Sequence, residues 1–107
     1  MEVLRLVIVT IPKDEAKTMA RALVENKLAA CVNIVGEVES IFFWQEAVQN
    51  DKESILLIKS TASRFEAIKE YVIENHPYEL PEVISIDISG NSEDYAKWVI
   101  NETKEIK

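Results

Sequence analysis

Chemistry has few places to reside in this chain. The segment "NHPYELPEV" at 75–83 gathers the only histidine, His76, with Tyr78, Glu79, Glu82 and two of the three prolines. An imidazole beside carboxylates can hold Zn2+ or Cu2+, so His76 and Glu79 are candidate metal ligands. A selective site needs three or four ligands, which the chain does not display by itself; ligands shared across a subunit interface would complete it. The same residues also have a purely structural reading. Backbone before a proline avoids the helical region, so Pro77 stops a helix at His76 and Pro81 holds Leu80 extended ahead of a strand. Both readings stay open on these residues alone.

Other chemistries fail for want of parts. A hydrolytic triad needs a serine beside a histidine base, and no serine stands near His76 in the chain. A phosphate-cradling loop needs several close glycines; Gly36 and Gly90 are far apart. The loop after the first strand, "TIPKDE", has no CxxC for a heavy metal, and the aromatics of "SIFFWQE" lack the basic residues an RNA-binding sheet carries. Cys31 reads as a small buried hydrophobe rather than a thiolate. Lys59 ends an apolar strand, so it stands either in solvent or in a cleft at the sheet edge. An enzyme using His76 as general acid or base is the remaining catalytic reading.

Composition narrows the field further. The chain of 107 residues is read as one domain, 1–107, with a formal net charge of −7. That charge argues against an electrostatic nucleic-acid binder. A single cysteine forms no intrachain disulfide and fits a reducing compartment. The apolar start "MEVLRLVIVT" is too short for a signal peptide, and no run approaches the roughly 20 apolar residues that span a bilayer. A cytoplasmic protein without membrane contact is expected.

The elements that must position these residues follow from periodicity. "VLRLVIV" (3–9) reads as a central strand buried on both faces. After Pro12, the residues Ala16, Met19, Ala20, Leu23 and Val24 form one face of a helix. Strand pattern returns at 28–35, ending at Gly36, and again at 38–49. "QND" (49–51) reads as a turn before the return strand 53–60. Ser63 and Glu66 have the spacing of a capping box on a helix running to about Asn75. A strand at 82–89 and a helix capped by Asn91 complete the chain, with residues 102–107 fraying. The order β-α-β-β-α-β plus a terminal helix is the ferredoxin-like α+β arrangement, helices on one face. The other sheet face and the two-sided aromatic strand 38–49 are left uncovered, which points to an interface, with a twofold dimer as the default expectation.

"KLAACVNI" (27–34), "SIFFW" (40–44), "LLIKS" (56–60), "HPYELPE" (76–82) and "YAKW" (95–98) occur in an order and spacing that closely resembles the CutA family of divalent-cation tolerance proteins. The resemblance covers nearly the whole chain. It implies a ferredoxin-like homotrimer akin to the PII signalling proteins, built by pairing of the middle hairpin between neighbours. It also implies no catalytic reaction and a link to divalent cations, with copper bound by some members. By position, His76 matches the family histidine, and Trp44, Lys59, Tyr78 and Glu82 match recurrent residues near inter-subunit clefts. The alternatives are a PII-like small-molecule signalling protein and a scaffold for partner proteins. This chain departs from the pattern at Val9 and Asn75, where some members have a cysteine and a second histidine. It departs also at Phe42 and Phe43, in place of tyrosines, and at Glu46 and Ala47, where a glycine is usual. The resemblance therefore implies a metal site with fewer ligands and a hairpin bent differently.

Overall fold

The computed structural model describes residues 2–105. Its elements are β1 (Leu4–Ile11), α1 (Lys13–Glu25), β2 (Cys31–Trp44), β3 (Ala47–Thr61), α2 (Phe65–Asn75), β4 (Val83–Asp87) and α3 (Glu93–Glu102), with a 3-10 turn at Ala62–Arg64 leading into α2. The strands form one antiparallel sheet in the order β2-β3-β1-β4, the ferredoxin-like arrangement with an added helix.

Alternation along β1 explains the layering. Val7, Val9 and Ile11 point to one side and meet Leu56 and Ile58 of β3 under α1 (Ala16, Met19, Ala20, Leu23) and α2 (Ile68, Val72). Residues of the opposite parity, Leu6 and Ile8, share the other face with Leu57 of β3 and with Ile84 and Ile86 of β4. That face is only partly covered. The third helix does not join the other two as the sequence suggested. It packs Val99, Ala96 and Ile100 against Leu4 and Ala30, on the end of the face that Leu6 and Ile8 occupy.

Helix α1 ends in a Schellman motif: Leu28 N–H donates to Leu23 C=O and Lys27 N–H to Val24 C=O. Lys27 therefore occupies the left-handed position, φ 59°, that glycine usually fills. At the end of α2 the backbone of His76 is extended, φ −93° and ψ 140°, as Pro77 requires.

Five local expectations need correction. The segments 28–35 and 38–49 are one bent strand that begins at Cys31, and Gly36 marks a shift in register between Val35 and Val38 rather than an end. The turn lies at Gln45–Glu46, so residues 49–51 belong to β3. The capping box is not formed: Ser63 lies in the 3-10 turn, and its N–H is taken by the Glu2 carboxylate at 2.8 Å. The cap of α3 is Ser92, whose hydroxyl accepts from Tyr95 N–H, rather than Asn91. β4 is shorter than 82–89. Of the segment expected to fray, 106–107 lie outside the described residues.

Candidate functional site

β2 and β3 outrun the rest of the sheet. β1 pairs with β3 only as far as Ile11 opposite Ser54, while β2 and β3 continue together to Trp44 opposite Ala47. Residues 38–53 thus form a two-stranded arm beyond the helix-covered core. Its faces differ. Ile41, Phe43 and Val48 stand outward, each about two-thirds exposed or more. Ser40, Phe42, Trp44, Gln49, Asp51 and Glu53 face inward across a cleft of about 810 Å³, which Ile41 and Phe43 also border. The opposite wall is the connector after α2, with Pro77, Tyr78, Glu79, Leu80 and Glu82, and Thr10 of β1 reaches the same space.

His76 fixes that wall. Its ring is buried, and Nε2 lies 2.8 Å from Thr10 C=O while Nδ1 lies 3.1 Å from Tyr78 N–H. A carbonyl only accepts and an amide only donates, so the proton sits on Nε2 and the Nδ1 lone pair receives the Tyr78 amide. Pairing of β1 with β4 stops at Val9 opposite Val83. The imidazole therefore satisfies the next β1 carbonyl, where a longer β4 would otherwise have done so. A metal at His76 must displace one of these two bonds.

Tyr78 is the hinge between connector and arm. Its hydroxyl donates to Glu53 Oε2 at 2.7 Å, and its ring leans on the imidazole at 4.7 Å and 53°. Burial above all, then the bond to Glu53 and the charges of Glu53, Asp51 and Glu15, push the phenol well above its ordinary value of 10. Asp51, Glu53, Glu79 and Glu82 make the cleft acidic.

Of the residues singled out from sequence, Trp44, Tyr78, Glu79 and Glu82 line this cleft together, with His76 behind the wall. Lys59 stands elsewhere, across from Cys31 and Leu6 on the open sheet face, where its ammonium bonds Asn33 Oδ1. Phe42 borders the cleft from the inner face of the arm and Phe43 from the more exposed one, so both exchange a hydroxyl for a ring edge there. Asp51 and Glu53 were missed. The signal was the polar alternation Gln49-Asp51-Glu53, which continues in phase into Ile55 and Leu57 along one strand, and which placing a turn at 49–51 concealed. No group of three His, Cys, Asp or Glu side chains among the described residues converges on a point suited to a metal ion.

The fold is that of small ferredoxin-like proteins, here carrying a long two-stranded arm with an acidic cleft beneath it, and comparison identifies the family. The profile of the CutA1 divalent ion tolerance protein matches residues 5–102, and the chain belongs to that family. The divalent-cation tolerance protein CutA of Thermus thermophilus is 43% identical over 99 residues, covering 92% of this chain and 96% of that protein. The chloroplastic protein CutA of Arabidopsis thaliana is 46% identical over 100 residues, but the chain spans only 55% of its length. The crystal structure of CutA1 from Oryza sativa superposes with a TM-score of 0.94 at 42% identity, covering 97% of this chain and 96% of that one.

Proposed function

We propose that the chain acts as a non-enzymatic, cation-responsive homotrimer in the cytoplasm, with the cleft between arm and connector as its ligand site. The observation that carries this reading is the cleft itself: Asp51, Glu53, Glu79 and Glu82 surround it, and among the described residues no lysine or arginine lines it. A negative, aromatic-walled cavity selects a cation. In the divalent reading, Glu79 supplies a carboxylate to Cu2+ or another divalent ion, and a neighbouring subunit supplies the ligands that one chain does not bring together. Release of the Nδ1 bond would add His76 to that set.

Assembly is supported by two features. The arm leaves strand edges without partners, and an isolated two-stranded ribbon is marginal in water. Leu6, Ile8, Ile55, Leu57, Ile84 and Ile86 share one sheet face, with Ile84 and Ile86 more than half exposed. An uncovered patch of this kind marks an interface.

A second reading, a small-molecule binding protein of the PII kind, is favoured by the scatter of the cleft carboxylates, which do not converge on one point. Native mass spectrometry with and without Cu2+ or Zn2+ separates the two. A trimer that takes up stoichiometric metal, and loses it in Glu79→Gln, supports the divalent reading. A trimer that stays metal-free leaves the cleft to a larger cation, and a monomer overturns the assembly.

A further inference from the structure

The cleft combines features that a bare metal ion does not use. Its carboxylates are spread along both walls, Asp51 and Glu53 on the arm, Glu79 and Glu82 on the connector, with Phe42, Trp44 and Tyr78 also lining the space. Every ion pair among the described residues lies elsewhere: Arg5–Asp87, Arg21–Glu25, Lys27–Glu102, Arg64–Glu105, Lys69–Glu66 and Lys97–Glu93. Among the described residues the cleft acids therefore have no cationic partner.

Glu53 is the informative one. The residue is only 5% exposed, and buried carboxylates are costly unless paired. Yet only Oε2 is engaged, by the Tyr78 hydroxyl. No donor among the described residues reaches Oε1. That oxygen is also not sealed from solvent, since among the described residues the sole fully enclosed side-chain polar atom without a partner is Arg64 Nε. Solvent therefore reaches Oε1, and Glu53 lines the cleft. The carboxylate keeps one acceptor oxygen unengaged at a deeply set position.

We propose that the ligand of this cleft is an elongated organic polycation, an aliphatic polyamine, with one ammonium at Glu53 and the others at the carboxylates nearer the mouth. This rests on the cleft being the ligand site and specifies what enters it. Separate ammonium groups satisfy separate carboxylates, which a single small ion cannot do when no three of them converge. The methylene chain between them packs on the aromatic walls, and an ammonium over an indole or phenol face gains cation–π attraction. Gln49, Ser40 and Thr10 offer further oxygens to N–H donors. No bond is made or broken; binding is by charge, hydrogen bonds and burial.

The test is a titration of the intact protein with spermidine, read by Trp44 fluorescence in a Trp98→Phe background. Trp98 is a half-exposed residue of α3 and is not among the residues lining the cleft, so Trp44 becomes the only indole. A saturable change is expected, with methylammonium at equal ionic strength giving none. Glu53→Gln removes the charge at the inner acceptor and weakens binding by about ten- to a hundredfold, the usual worth of a hydrogen bond to a charged group. Glu82→Gln, at an exposed position, gives a smaller loss and guards against misfolding of the buried variant. Glu70→Gln and Glu74→Gln on α2 leave binding unchanged. Equal loss in the α2 variants, or equal response to methylammonium, means general attraction to an acidic surface and overturns the proposal. A Trp44 response to Zn2+ or Cu2+ but not to spermidine overturns the polyamine while keeping the cleft as a cation site. Silence toward all of them overturns both.

Discussion

Replacing His76 with alanine separates a structural imidazole from a metal ligand. The side chain makes two bonds to buried or half-buried backbone, Nε2–H to Thr10 C=O and Nδ1 from Tyr78 N–H. Each is worth about 1 kcal/mol net. The tilted contact with the Tyr78 ring at 4.7 Å adds about 0.5–1.5 kcal/mol. His76→Ala should therefore cost about 2–4 kcal/mol, with metal rigorously excluded. With a urea slope on the order of 2 kcal/mol/M, the midpoint falls by roughly 1–2 M. The assay is equilibrium unfolding in the presence of a chelator, wild type and variant at one protomer concentration, because assembly makes apparent stability concentration-dependent. His76→Gln keeps a donor for Thr10 and should recover about half of the loss. A variant that unfolds like wild type in chelator, but no longer gains stability from added Cu2+ or Zn2+, would refute the structural account and make His76 a ligand.

Three further outcomes follow from the same geometry. Tyr78→Phe leaves Glu53 without its one donor and should cost about 1.5–3 kcal/mol at neutral pH, measured by the same urea titration. Because the folded phenol titrates above its unfolded value of 10, the folded state holds the proton longer, so this residue's contribution to stability is constant below pH 10 and falls as pH rises past it. In Tyr78→Phe that alkaline decline should shrink, leaving the smaller part due to Tyr95, whose phenol is also raised by burial. At the tip of the arm, Gln45 and Glu46 hold φ values of 51° and 64°, positions that Asn-Gly fills without strain. The double change Gln45→Asn, Glu46→Gly should raise stability by about 1 kcal/mol, seen as a higher melting temperature at fixed protomer concentration. Lys27→Gly, at the left-handed end of α1, should be stabilising by a similar amount, less the exposed and weak pairing with Glu102; thermal melting checks it.

What was legible in the chain was what local physics decides. β-branched runs marked the strands, 3–4 spacing marked the helices, and Pro77 ended α2 where it had to. The turn was misplaced because its residues break the usual rule: Gln45 and Glu46 are poor formers of a tight hairpin, whereas "QND" is rich in turn residues. Asn50 and Asp51 are tolerated in β3 because that stretch lies beyond β1 and both are exposed. Ser63 and Glu66 have capping spacing, but Ser63 N–H is claimed by Glu2, a partner 61 residues away. Likewise the two bonds of His76 depend on where β4 stops along β1, which no local pattern encodes. Glu53 was hidden for the same reason. Its burial comes from the fold bringing the connector over the arm.

The arm and the connector explain each other. A two-stranded ribbon gains little from its own hydrogen bonds in water, so its inner face has to be held by something outside the sheet. The available hold is Tyr78, carried on a connector whose backbone is set by two prolines and whose position is fixed by His76 against β1. A chain of contacts therefore runs from Thr10 through the imidazole and the phenol to Glu53. Positive charge at Glu53 would strengthen that carboxylate's position without competing for the Tyr78 hydroxyl, because it would use the other oxygen. Cation binding should thus tighten the arm against the connector, and the arm is the element whose edges await a neighbouring subunit. If so, cation and assembly are linked, and by reciprocity each must raise affinity for the other. Analytical ultracentrifugation across a dilution series, with and without the bound cation, measures that linkage. An association constant indifferent to the cation, in a protein that demonstrably binds it, would cut the chain of contacts at Tyr78.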